Sequence, residues 1–383
     1  MKILLFTPTF LPSLGGAERM ADTLVRQLIK RGHDVQVLCQ WSRGQTHEID
    51  VPYRVHRYRR PPKLNLWPEL VARPLKRLHR VWPFDVVLAF YAYPTGYAAT
   101  RVKHRLGCKV VVTPRGGDLY PSFHGRQKWR VCRTIAAGYR DADRIVSISR
   151  WLTERIQEET ANDDVPLPPI DHVPNGIDLE PFDHALADSR TAPPTPLLVT
   201  TPYILHLARL HPVKQQHVLI AAVAAARDLF ETRDLRLALV GDGPAQDELQ
   251  AQIKRLDLAP RVLLLGRRTG REKAWLLAHA AGFVTASGEE GLPNAVVEAM
   301  AAGLPIVASD IGPHRELIEG KGWGFLFAAG DAIALADAWQ RFDRADQAAM
   351  RRAALALRND YTLERMVDGY ESALIAALDA PGA

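Results

Sequence analysis

Two carboxylates, Glu290 and Glu298, stand eight positions apart in the stretch EEGLPNAVVEAMAAGLPIVASD, residues 289–310. A charge set among Ala, Val and Met costs stability unless something pairs with it. Such acids could form a hydrolytic pair, which in retaining hydrolases holds its carboxyls about 5–5.5 Å apart. They could instead accept hydrogen bonds from the hydroxyls of one ligand, each charged bond contributing about 1.5–3 kcal/mol. Pro293 suits a first helical turn and Gly303 a helix stop, so the spacing predicts a helix near 294–302. Glu298 then lies inside the helix and Glu290 in the loop before it. Between them fall the N–H groups of residues 292–295, an end that favours anions. Hydroxyl acceptors beside phosphate-binding donors suit a nucleotide sugar better than a hydrolytic pair.

Cations in other loops point the same way. In LARLHPVKQQ, residues 207–216, Arg209 and Lys214 follow an apolar run by a few positions. They could converge on a diphosphate, Arg as a fork and Lys as a mobile charge, or be solvated surface. Gly15 and Gly16 in SLGGAERM lie between the first strand and the first helix, where backbone N–H groups can approach a phosphate. Glu18, in that first turn, complements the helix dipole. GDGPAQDEL, residues 241–249, has Gln246 where a dinucleotide fingerprint needs glycine, leaving either a tight turn or a ligand contact.

The elements that must position these residues alternate from end to end. Apolar strand runs at 2–8, 34–39, 85–90, 109–114 and 143–149 are separated by helical periodicity. After a proline-rich break at 179–200 the rhythm restarts at 203–208, 236–241, 262–266, 282–287 and 305–309. The expectation is an α/β protein of two Rossmann-like domains, 1–185 and 200–360. A last helix at about 361–378 returns to the first domain by fold analogy.

At 383 residues, with 47% hydrophobic and 24% charged content, the chain has globular composition and length for two domains. It shows no signal-peptide pattern and no run of about 20 apolar residues, so a cytoplasmic protein is expected. Cys39, Cys108 and Cys132 have no metal-like spacing and read as buried thiols. The net charge of +6 is concentrated in basic clusters at 53–63, 73–80 and 126–133, which favour phosphate-bearing partners. No nucleic-acid motif accompanies them.

With these residues in view, the chain resembles the retaining glycosyltransferases of family 4. The resemblance is carried by GGAE (15–18), VPNGID (173–178), ARLHPVK, GDGP and EGLPNAVVEAMAAGLPIVASDIGPHRELI. It implies the GT-B fold, with two Rossmann-like domains facing an interdomain cleft. It also implies transfer of a hexose from a nucleotide-sugar donor, UDP-linked by expectation, to a glycan or glycolipid acceptor. Cell-surface polysaccharide or lipopolysaccharide synthesis is the implied setting. No metal or cofactor is implied, the nucleotide sugar being a co-substrate.

By the same resemblance Arg209 and Lys214 neutralise the donor diphosphate and Glu298 holds the ribose hydroxyls. Glu290 lies near the transferred sugar, with backbone N–H groups of Gly16, Gly291, Leu292 and Asn294 around phosphate and sugar. Front-face displacement with retention, the leaving phosphate assisting deprotonation of the acceptor, is the implied chemistry. TPRGGDLY, residues 113–120, departs from the family: Arg115 stands where many relatives carry His. Arg115 is assigned to sugar, phosphate or acceptor; Asp118 is a possible acceptor or sugar contact, or a turn cap. The stretch RPLKRLHRVW, residues 73–82, could lay Leu75, Leu78 and Trp82 on an anionic membrane, or pack on its own domain. The rival from another class is a non-catalytic protein that binds an anionic glycan or membrane.

Overall fold

The computed structural model describes residues 1–12, 15–41, 49–59, 68–117, 128–161, 165–187 and 201–380. They form two compact units, one of Met1–Gly176 with Glu364–Ala383, the other of Ile177–Leu363.

The first unit is built on seven strands: β1 (Lys2–Thr7), β2 (Asp34–Trp41), β3 (Val55–Arg59), β4 (Val86–Phe90), β5 (Lys109–Thr113), β6 (Arg144–Ser147) and β7 (Ile170–His172). Their order is β3-β2-β1-β4-β5-β6-β7, and every neighbouring pair is parallel. β4, VVLAF, is buried at all five positions, the pattern of a strand covered on both faces. The order reverses between β1 and β4, so their carboxyl ends diverge into helices on opposite faces. Such a reversal leaves a crevice suited to a ligand.

The second unit repeats this plan with β8 (Tyr203–Leu207), β9 (Arg236–Val240), β10 (Val262–Leu264), β11 (Gly282–Thr285), β12 (Ile306–Ser309) and β13 (Gly324–Phe327). The order is β10-β9-β8-β11-β12-β13, with the reversal between β8 and β11. Its core includes Trp339, set edge-on against Phe230 with ring centroids 5.0 Å apart. Such aromatic pairs add about 0.5–1.5 kcal/mol beyond area burial.

Residues 177–185, expected in the first domain, belong to the second unit. The helix Glu180–Ala187 packs there against the helix Gly270–His279. Phe182 is buried and Asp183 pairs with Arg358 at 2.6 Å. Most of the proline-rich break, residues 188–200, lies outside the described residues. The chain re-enters the first unit with the helix Leu363–Asp379. There Glu371 accepts from Arg31 at 2.6 Å and pairs with His33 at 2.7 Å, fixing the helix beside the end of the helix Gly16–Lys30. Lys109 Nζ donates to the Ala380 carbonyl at 2.8 Å near its other end.

The basic helix Pro68–Val81 turns its apolar side inward. Leu75 and Leu78 are buried, and Trp82 Nε1 donates to Asp34 at 2.9 Å. Two of the three side chains expected to face a membrane, Leu75 and Leu78, are therefore part of the protein's own core, and Trp82 is half-buried. Arg73, Arg77 and Arg80 remain exposed at helical spacing. No helix among the described residues is long and apolar enough to cross a membrane. Cys39 and Cys108 are buried free thiols, both pushed up by burial, to about 11 and about 12.

Candidate active site

The loops that follow β8 and β11 carry the residues singled out in the second half of the sequence. The backbone ladder between these strands covers Gly282↔Ile204 and Phe283↔Leu205. The next carbonyl, Val284, accepts from His206 Nδ1 at 2.9 Å. That bond makes Nε2 the lone-pair side of the ring, which accepts from Gln216 Nε2 at 3.3 Å. The Gln216 amide also donates to the Arg209 carbonyl at 2.9 Å. Burial pushes His206 down to about 4, so the strut is built on neutral imidazole. His206 and Gln216, both buried, thereby fix the loop that carries Arg209 and Lys214.

Gly241 and Gly243 hold the other side of that loop. Both have φ near +150°, and a Cβ would strike the Ala208 carbonyl at Gly241 and the Leu210 carbonyl at Gly243. Leu210 N donates to Asp242 O at 2.8 Å and Ala245 N to Leu210 O at 3.1 Å. The GDGP glycines thus have a packing reason to be glycine: they let two backbone segments touch.

On this scaffold Lys214 and Glu290 meet. Lys214 Nζ lies 2.5 Å from Glu290 Oε1, with side chains 23% and 15% exposed. Burial pushes the Glu290 carboxyl up, but the Lys214 ammonium and its hydrogen bond, with His314 and Ser287, hold it below the usual carboxylate range. A general acid must keep its proton near neutrality. A carboxyl held below its usual range is a fixed negative charge rather than a general acid. Arg209 is exposed and makes no ion pair among the described residues. Lys214 precedes Gln215, whose φ is +50°.

His314 adds a buried group to this edge. It lies in the helix Gly312–Ile318 after β12, and its Nδ1 donates to the Ser309 carbonyl at 2.8 Å. Ser309 Oγ in turn donates to the Ser287 carbonyl at 2.7 Å. Burial pushes the His314 ring down as well, although Glu290 opposes the shift.

The predicted helix start is observed at Asn294, with the helix running Asn294–Ala301 and Pro293 as its N-cap. The Pro293 carbonyl takes the N–H groups of Val296 and Val297. Pro293 has no side-chain donor or acceptor with which to cap this end, and no acid lies in the first turn. The Leu292 side chain is buried. Glu298 has its own partner: Lys273 Nζ, on the helix Gly270–His279, lies 2.7 Å from Glu298 Oε1. The two acids are therefore tied to two different lysines. Lys273 escaped the sequence reading because its link to Glu298 spans two helices. Only the cationic stretch RRTGREK, 267–273, hinted at it.

In the first unit Gly16 opens the helix Gly16–Lys30, with Gly15 as N-cap. The Glu18 carboxylate folds back over this end, accepting from Thr9 Oγ1 at 2.6 Å. Arg115, beyond β5, lays its guanidinium over the Phe90 ring, 4.4 Å from the centroid, and donates to the Tyr370 hydroxyl at 3.2 Å. The same hydroxyl meets Thr113 Oγ1 at 3.0 Å. Asp118 lies outside the described residues.

Two Rossmann-like units with this strand order have the GT-B fold, and comparison with known proteins supplies the family. The model of Glycosyltransferase Family 4 matches residues 14–181, and that of Glycosyl transferases group 1 matches 201–342. Between them they account for most of the chain, which belongs to the family 4, group 1 glycosyltransferases. Among curated relatives, N-acetyl-alpha-D-glucosaminyl L-malate synthase of Bacillus anthracis is 25% identical over 86% of this chain and 84% of its own. A GDP-mannose-dependent alpha-mannosyltransferase of Mycolicibacterium smegmatis is 28% identical, over 83% and 82%. The crystal structure of Anabaena HepE in complex with UDP has the same fold, with TM-score 0.75, 24% identity, and coverage of 98% of this chain and 100% of that one.

Proposed function

We propose that the protein is a retaining, metal-independent hexosyltransferase that moves a sugar from a UDP- or GDP-linked donor to a glycan or glycolipid. The observation that carries this reading is the Lys214–Glu290 pair at the strand-order reversal of the second sheet. Beside it stand Arg209, which makes no ion pair among the described residues, and a helix with no acid in its first turn. Arg209 and Lys214 take the diphosphate, assisted by backbone N–H groups of Gly291, Leu292 and Asn294. Charge that develops on the departing diphosphate is what preorganised cations and dipoles stabilise best. Glu298 accepts from the ribose hydroxyls and Glu290 from a hydroxyl of the transferred sugar. In the first unit the Gly16 backbone serves phosphate and sugar, Arg115 the sugar, phosphate or acceptor, and Asp118 the acceptor or sugar. The M. smegmatis relative, by its name, uses GDP-mannose, and the HepE structure holds UDP; both bases therefore belong in the test.

Arg73, Arg77 and Arg80 support a further part of the reading: contact with anionic lipid by charge alone, in cell-surface glycan synthesis at the cytoplasmic face of a membrane. Sedimentation with phosphatidylserine vesicles should fall steeply with salt and disappear in the triple Arg→Glu variant.

The deciding experiment incubates the protein with UDP-, GDP- and ADP-hexoses and simple glycan acceptors, without and with EDTA. NMR then assigns the anomer of any product. Transfer with retention, unaffected by EDTA, is expected. An inverted product, or activity restored only by a divalent ion, contradicts the mechanism; sugar release with no nucleotide sugar required favours a hydrolase.

A further inference from the structure

The pairing of Glu298 with Lys273 is not dictated by local sequence. The neighbouring acid on the same helix, Glu272, faces Arg268 at 3.7 Å. Lys273 reaches instead across to the helix Asn294–Ala301, with both side chains of the pair about one-fifth exposed. A pair this open to water adds little to stability. Neither side chain has another hydrogen-bond or ion-pair partner among the described residues. Glu298 Oε2 therefore retains lone pairs, and the ammonium retains two of its three N–H donors.

A carboxylate only accepts and an ammonium only donates. Side by side they match a pair of vicinal hydroxyls, each of which can do both and which lie about one hydrogen-bond length apart. One hydroxyl donates a hydrogen bond to Glu298 while an oxygen lone pair accepts an N–H of Lys273. We propose that Lys273 is a specificity-determining residue that, with Glu298, reads the ribose cis-diol of the donor nucleotide. This assignment rests on the donor reading of the second unit given above. Loss of either hydroxyl leaves one charged group of the pair without its ligand partner, and sites built to bond a hydroxyl reject analogues that lack it.

The test is calorimetric titration of the full chain with UDP, GDP, their 2′-deoxy counterparts and inorganic pyrophosphate. Wild type, Lys273→Met and Lys273→Arg are compared. Wild type should prefer ribo- over 2′-deoxynucleotide by about tenfold or more, the worth of one charged hydrogen bond. Lys273→Met should lose most of that preference and Lys273→Arg keep it. Pyrophosphate affinity should be the same in all three, which separates diol reading from a fold defect. The proposal is overturned if Lys273→Met retains the ribo preference, or if pyrophosphate binding falls in step with nucleotide binding. If wild type binds pyrophosphate but neither UDP nor GDP, the donor reading itself fails and the Lys273 assignment goes with it.

Discussion

At the carboxyl edge of the second sheet both acids are tied to lysines, and the adjacent helix start carries no acid in its first turn. At the carboxyl edge of the first sheet the arrangement is reversed. The helix start is covered by its own Glu18, and the cation, Arg115, is bedded on Phe90 and held by Tyr370. Both sheets have the same strand order around the reversal. The difference therefore lies in the loops, and on the function proposed above the second edge is the one that receives a highly charged ligand. Lysines balanced by carboxylates can exchange partners with a diphosphate at small cost. A guanidinium fixed between a ring and a hydroxyl is preorganised for one geometry.

The comparison can be broken most directly at Lys214. Lys214→Ala removes the proposed diphosphate cation and the ammonium paired with Glu290, and should lower kcat/KM for the donor by about a hundredfold. Affinity for the nucleoside diphosphate should fall far more than for the bare nucleoside. Equal losses for the two ligands would mean that Lys214 acts through folding. At the other edge, Arg115→Ala should lower turnover but leave nucleoside-diphosphate affinity within about twofold. Tyr370→Phe should act in the same direction more weakly, with a stability loss of about 1 kcal/mol. A large loss of nucleotide affinity in either variant would move Arg115 to the donor.

A third prediction concerns pH. His206 is pushed below its unfolded value, so the unfolded chain binds the extra proton first as pH falls. Its contribution to stability is present above about pH 6.5 and erodes by roughly 1.4 kcal/mol per unit down to about pH 4. Glu290 is shifted in the carboxylate sense, so its contribution is lost only at lower pH, below the ordinary Glu range. Denaturant melts between pH 7 and 4.5 should show a shallower decline in His206→Asn than in wild type. An unchanged slope would remove His206 as the acid-sensitive strut of the donor loop. The smallest effect is expected at Gln215, a non-glycine residue in left-handed backbone. Gln215→Gly should stabilise the second unit by about 0.5–1 kcal/mol, offset in part by the freer unfolded chain. Thermal melts that fall rather than rise would show that the Gln215 side chain is needed.

Much of this frame was legible because buried parallel strands read as unbroken apolar runs; β1, β4 and β8 are such runs. β3 was not legible, since VHRYR alternates cations and lies at a sheet edge inside a basic cluster. β7 is three residues long, and β13, GFLF, is too short to show a period. Among the site residues, Arg209, Lys214, Glu290 and Glu298 could be found because each follows a strand or sits beside a local helix signal. The partners that orient them could not. Lys273 meets Glu298 across 25 positions and Tyr370 meets Arg115 across 255. No local period records such pairings. The sequence already sets the two glutamates apart, one in a loop and one in a helix; the structure adds that each is paired with its own lysine.

The central claim is that the second unit's carboxyl edge binds the nucleotide diphosphate of the donor. Calorimetric titration of the intact protein with UDP and GDP, beside Glu298→Ala and Lys214→Ala, tests it most directly. The account predicts one site per chain for at least one of the two nucleotides, with binding weakened about tenfold or more by either substitution. Wild type that binds neither UDP nor GDP, or variants that bind as tightly as wild type, would contradict it.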